Sequence, residues 1–214
     1  MLRGPVRTLD AGCGSGAFTM YASRIGNESL GISIDEREIQ TAQERTRILG
    51  ISNIELIRAD LRELDRFHLG KFDQVICLET IEHITNDEKL VKDFSDLLEP
   101  GGRLLLTTPF KHYRPLRGDT LSSLEDGGHV RWGYTHEEIR ELFDKCGLDV
   151  HIEEYISGYV SQQITSLMRS ISTVNARFAW VVVFPLRIFQ VFDSPVTRLI
   201  GYPYLSIGVV GIKR

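Results

Sequence analysis

The sequence predicts an α/β protein built on a doubly wound sheet of seven strands. Three observations carry this expectation. Short hydrophobic runs alternate with longer segments whose apolar residues recur at helical spacing. The first run, residues 6–11, opens directly into the glycine-rich turn Gly12-Cys13-Gly14-Ser15-Gly16 and then a helix. Repeated β-α-β order requires parallel strands joined by crossover helices on both faces of the sheet, with ligands at the strands' carboxyl ends.

The elements follow in order. Residues 17–25 read as a helix stopped at Gly26-Asn27, and 30–34 as the second strand. Residues 36–49 form a charged helix with Ile39, Ala42 and Ile48 at helical spacing, closed by Gly50. The third and fourth strands are 54–57 and 72–78, the latter with the apolar character of a buried parallel strand. A helix over 87–98 ends at Pro100-Gly101-Gly102, and 103–108 is the fifth strand. Thr135-His136-Glu137-Glu138 is a capping box that starts a helix running to Cys146 and ended by Gly147. Residues 148–155 and 205–212 complete the seven strands.

Length and composition fit one domain spanning residues 1–214, with 160–203 as a helical insertion between the last two strands. Cys13, Cys77 and Cys146 show no C-x-x-C spacing and form an odd set, which predicts a reduced, cytoplasmic setting. No signal peptide is visible ahead of the first strand. Charge is uneven. Residues 157–214 hold six Lys and Arg against one acid, Asp193; the whole chain is −4, so residues 1–156 carry −9.

The glycine turn is the strongest functional signal. Glycine lets backbone approach a ligand closely, and the helix start beyond it presents free N–H groups. Gly12, Gly14 and Ala17 satisfy a G-x-G-x-x-A dinucleotide pattern, so NAD is one reading. Asp10 ahead of the glycines and Asp60 after the third strand oppose it, because acids repel a diphosphate and favour an ammonium or sulfonium. With Gly-Cys-Gly-Ser-Gly following an acid, the sequence resembles the class I S-adenosylmethionine-dependent methyltransferases, of the methyltransferase type 11 kind. That resemblance implies a last strand running antiparallel beside the sixth. It implies cofactor contacts from Asp10, Gly12, Cys13, Gly14 and Gly16 toward the methionine part, and from Asp60 and Leu61 toward adenine. The family's ribose-binding acid at the end of strand two is displaced: Ser33 stands there, with Asp35 two residues on. Either Asp35 reaches the ribose, or Ser33 offers one hydroxyl while Asp35 caps the next helix.

After strand four, Glu79-Thr80-Ile81-Glu82-His83 resembles the E-x-x-E-H of quinone-biosynthesis O-methyltransferases. On a helical turn Glu79, Glu82 and His83 share one face beside the methyl donor. With His129 they also resemble the divalent-metal site of small-RNA 2′-O-methyltransferases, in which a metal activates the target hydroxyl. The alternatives are a plain helix start, or His83 or His129 as a general base without metal. Tyr113 and the loop 109–132 are expected on the acceptor side.

The insertion holds predicted helices at 161–172 and 174–192, broken at Pro185, and a run rich in Phe, Trp and Val that is too short to span a bilayer. Its apolar and arginine content fits a membrane surface or a greasy substrate, and equally a lid or a dimer face. Members of the resembled family usually carry a helix ahead of the first strand. Only five residues stand there here, so the insertion covers the site, or the site is open, or the chain is a fragment. The expected function is methyl transfer from S-adenosylmethionine to a small or lipid-like acceptor at oxygen, S-adenosylhomocysteine being the product. The competing readings are metal-assisted RNA 2′-O-methylation, which the acidic core speaks against, and S-adenosylmethionine binding without catalysis.

Overall fold

The structure, a computed structural model, describes residues 2–114, 120–125 and 127–214. Its core is one seven-stranded sheet of order β3-β2-β1-β4-β5-β7-β6. The strands are β1 (Arg7–Ala11), β2 (Glu28–Ser33), β3 (Ile54–Arg58), β4 (Phe72–Leu78), β5 (Leu98–Pro109), β6 (Leu148–Ile156) and β7 (Ser206–Lys213). The first five pair in parallel, and β7 runs antiparallel between β5 and β6. The strand order reverses at β1, so β1 and β4 diverge into their connections on opposite sides and leave a crevice at their carboxyl ends.

The helices are α1 (Ala17–Arg24), α2 (Glu36–Leu49), α3 (Asp87–Leu97), α4 (His136–Lys145), α5 (Tyr159–Ser172), α6 (Ala176–Val183) and α7 (Asp193–Ile200). Helix α2 starts because Asp35 accepts from the Arg37 N–H at 2.8 Å, and it stops at Gly50 in the left-handed conformation. The capping box at Thr135 and Glu138 forms as its residues predict. The central strands bury Leu9, Ile32, Val75, Cys77, Leu104 and Leu106 against α3 and α4, whose inward faces carry Phe94 and Phe143. The three cysteines are free and buried.

Two expectations need correction. Glu79 is not on a helical turn with Glu82 and His83: its φ is 48°, and only Ile81–His83 forms a short 3₁₀ turn. The segment 174–192 does break at Pro185, but its second half, Pro185–Phe192, is a 3₁₀ stretch, and α7 follows it where no helix was expected. Pro185 removes a backbone donor and ends the α-helical ladder there. Among the described residues no single helix is long and apolar enough to cross a membrane.

The loop bearing His129 is held at several points. Tyr134 N–H donates to Pro109 O at 3.0 Å, Val130 N–H to Glu82 O at 2.9 Å, and the Arg131 guanidinium pairs with Asp87. Gly133 makes this path possible. Its φ is 113°, and a Cβ there would lie 1.9 Å from Pro109 O. Gly133→Ala is therefore expected to destabilise the fold by about 2 kcal/mol or more in urea titration, whereas a loss below about 0.5 kcal/mol would refute this account.

Candidate cofactor and acceptor site

The crevice beside β1 and β4 is a cleft of about 660 Å³. Such a volume suits a nucleoside-sized ligand. Its floor is the glycine turn. Gly12 and Cys13 N–H groups both donate to Ile32 O, at 2.9 and 2.8 Å, which ties the turn across β2. Gly12, Gly14 and Gly16 all have positive φ, and a Cβ on Gly12 would come within 2.3 Å of the Thr80 hydroxyl. The turn is thus pressed between two strands with bare backbone toward the cleft, a cradle that any side chain would fill. Gly16 packs against Ala42 and starts α1 without a side-chain cap.

Not every expected residue lines the cleft. Gly12, Gly14, Ser33, Asp35, Asp60, Leu61, Glu79 and His83 do. Asp10, Cys13 and Gly16 lie behind the turn. Asp10 is buried in β1 and accepts from the Thr19 hydroxyl at 2.6 Å; burial pushes its carboxyl up to about 6. Burial, reinforced by the Asp10 charge, pushes the Cys13 thiol up to about 12, so Cys13 packs rather than reacts. Tyr113 is buried with its ring 6.2 Å from Trp132 and is not part of the cleft lining. Residues 115–119 and 126 of the loop expected on the acceptor side lie outside the described residues.

At the end of β2, Asp35 serves as the helix cap. Ser33 faces Glu38, donating to its carboxylate at 2.8 Å. Glu38 lines the cleft and sits where a Cβ on Gly14 would be 3.5 Å from its oxygen. Sequence reasoning missed it because Asp35-x-x-Glu38 has capping-box spacing, which conceals a side chain turned to the ligand side. Asp60 caps the turn after β3 and is gripped by the Arg62 guanidinium, which also pairs with Glu125 at 2.7 Å. Arg62 holds the Asp60 carboxyl below its usual range. Glu125 in turn accepts from the Thr85 N–H at 2.5 Å, which fixes Glu125 at the cleft's edge. Asp35, Glu38, Asp60, Glu79 and Glu125 outnumber Arg62 on the lining, and their field favours a cationic ligand.

The other end of the cleft carries the titratable groups. Glu79 opens onto solvent, yet the cleft walls raise its carboxyl above the usual range against hydrogen bonds from Thr107 and Ser206. Its left-handed backbone is strain of the kind that collects at functional sites. Glu82 is 1% exposed and is pushed up to about 8, by burial first and then by Glu79. His83 Nδ1 lies 3.0 Å from Gly128 O. A carbonyl only accepts, so Nδ1 carries the proton and Nε2 of the neutral ring is the acceptor. The His129 ring stands edge-on to His83 at 4.8 Å. Glu82, His83 and His129 each offer a ligand atom, all within 4.8 Å of one another. Past Ser206, Tyr155 stacks on Tyr204 at 5.0 Å and Phe110 meets Tyr155 edge-on at 5.4 Å, forming an aromatic wall beside β5 and β7.

Asp10 gives a pH prediction. Its folded value, about 6, exceeds its ordinary 3.8, so the folded chain binds more protons than the unfolded chain between those values. Stability from this group is full below that window and is lost as pH rises through it. Asp10→Asn is therefore expected to be more stable than the parent at about pH 8 by roughly 1–3 kcal/mol and equal to it near pH 3.5 in urea titrations. An advantage that grows toward acid would refute the assignment.

Comparison with known proteins agrees with this geometry. Residues 9–106 match a family model described as a methyltransferase domain. Over 102 residues the chain is 30% identical to the ubiquinone biosynthesis O-methyltransferase of Acinetobacter baylyi, covering 48% of this chain and 43% of that enzyme. The matched stretch therefore spans less than half of the relative's length. Phosphoethanolamine N-methyltransferase 2 of Haemonchus contortus, solved with S-adenosylmethionine, superposes with a TM-score of 0.68 at 19% identity, over 100% of this chain and 50% of that one. The [4+2]-cyclase SpnF superposes with a TM-score of 0.68 at 18% identity, over 99% of this chain and 76% of that one. The same fold thus carries different reactions, and at these identities the two structures speak to fold alone. Matched domain and strand order agree: residues 9–106 carry a methyltransferase domain, set in the fold that these solved structures share.

Proposed function

We propose that the chain transfers a methyl group from S-adenosylmethionine to a hydroxyl oxygen of a small or lipid-like acceptor. One observation carries this reading: His83, whose Nδ1 is engaged by Gly128 O, lines the same acid-rich cleft as the glycine turn. The O-methyltransferase name of the Acinetobacter relative supports oxygen as the acceptor atom. The apolar insertion and the aromatic wall support a greasy acceptor. The buried thiols fit work in a reducing compartment.

Bound S-adenosylmethionine supplies an electrophilic methyl on a sulfonium. Everything else falls to the protein. Gly12 and Gly14 let the backbone approach the amino-acid part, with the Asp10 charge behind them. Glu38, steadied by Ser33, takes the ribose hydroxyls in place of the family's acid at the end of β2. Asp60 and Leu61 hold the adenine edge and face. His83 accepts the acceptor's hydroxyl proton at Nε2, with His129 beside it. Alignment and exclusion of water supply most of the rate.

Calorimetry with S-adenosylhomocysteine tests the cofactor half. Glu38→Ala is expected to weaken binding about tenfold or more, the loss of a charge-assisted hydrogen bond, while Asp35→Ala changes it less. Binding of NAD in place of both sulfur compounds would overturn the reading. Transfer of labelled methyl to hydroxyl compounds in lipid and aqueous extracts tests the acceptor half, and loss of that transfer in His83→Ala is expected.

The cluster of Glu82, His83 and His129 favours a second reading, metal-assisted transfer to a hydroxyl, as on an RNA 2′ oxygen. Their ligand atoms all lie within 4.8 Å of one another, and one carboxylate with two imidazoles is a donor set that suits a divalent cation. These three residues would hold the ion, and it would lower the pKa of an acceptor hydroxyl. This reading expects activity to vanish with a chelator and return with a divalent cation, and Glu82→Ala to remove that response. Activity indifferent to both retires it.

A further inference from the structure

Soluble helices hide apolar side chains and show polar ones; α6 shows both faces apolar. Ala179 and Val183 are buried within the insertion, yet Trp180, Val181 and Phe184 are 50%, 72% and 69% exposed. The 3₁₀ stretch that follows buries none of its residues, and Ile188, Phe189 and Val191 extend the same apolar surface. Large apolar side chains exposed along one stretch of chain in this way mark an interaction surface. It is also firmly built. Asp193 accepts from the N–H groups of Gly158 and Ser161, Thr197 accepts from Tyr159 N–H, and Gln162 donates to Pro203 O at 2.9 Å.

Charge identifies the occupant. Between residues 157 and 205 the chain has four arginines, Arg169, Arg177, Arg187 and Arg198, and one acid, Asp193. That acid is engaged in capping α5. All four arginines are exposed, and the Arg187 guanidinium lies over the Trp180 ring at 5.4 Å from its centre. A second copy of this chain would bring like charges together across a twofold axis. No single helix here is long enough to span: α6 has eight residues, about 12 Å, and it reaches a span's length only together with 185–200, across a bend of 50°. We propose that this surface docks on an anionic lipid bilayer, with the aromatic and branched side chains at the acyl boundary and the arginines at the phosphates. Docking there requires no particular methyl acceptor, so it stands or falls apart from the proposed reaction.

Flotation of the full chain tests it, with vesicles of phosphatidylcholine alone and vesicles containing about one third phosphatidylglycerol. Binding to the anionic vesicles is expected to be at least about tenfold stronger, and to weaken as salt is raised. The variant Phe184→Ser/Ile188→Ser/Phe189→Ser is expected to lose binding to both. Arg177→Glu/Arg187→Glu is expected to lose the anionic preference while keeping S-adenosylhomocysteine affinity by calorimetry, which shows that the variant is folded. Equal binding to both vesicle types, no binding to either, or a stable dimer that ignores vesicles would each overturn the proposal.

Discussion

Two N–H groups converge on one carbonyl: those of Gly12 and Cys13 on Ile32 O. This pairing welds the end of β1 to β2 and turns the chain out of the sheet within three residues. Because the turn runs through left-handed glycines, it brings bare backbone to the crevice edge while Thr80, from the far side of β4, closes beneath it. The acids then find their places around that fixed point. Asp10 lies behind it, and Glu38, Asp60 and Glu79 line the cleft around it. The cleft's negative field follows from how the turn is tied down.

Burial distributes these acids unequally, and that inequality divides the labour. Asp10 and Glu82 are enclosed and raised, so each costs stability when ionised. Asp60 is steadied by Arg62 and lowered. A fold selected for stability alone would replace the first two with amides or apolar groups; retaining them fits a site that needs charge beside a cationic ligand.

Much of this was legible in the residues. Period and punctuation located all seven strands, because each strand buries a short apolar run and each glycine or capping residue ends an element for a local reason. The acids that line the cleft were legible where a strand end fixes them, as at Asp60. Legibility failed where tertiary contacts override local spacing. Glu79 leaves the helical face because its N–H is drawn to Thr107 O and its carboxylate to Ser206, over a hundred residues away. Glu38 was concealed by capping-box spacing. In the insertion, apolar residues on every side of the chain erased the periodicity that separates helices, and α7 went unseen.

Strand β7 runs antiparallel to both of its neighbours, β5 and β6, and this reversal has an architectural consequence. A parallel sheet returns its chain to the amino-terminal edge before each new strand. A reversed strand lets β6 and β7 be joined at the carboxyl edge, beside the cleft, where Ser206 already touches Glu79. Residues added at that junction accumulate beside the Glu79 end of the cleft without disturbing the glycine turn. The fold therefore has a port of growth, through which one lineage can exchange acceptors, lids or anchoring surfaces while the glycine turn stays unchanged.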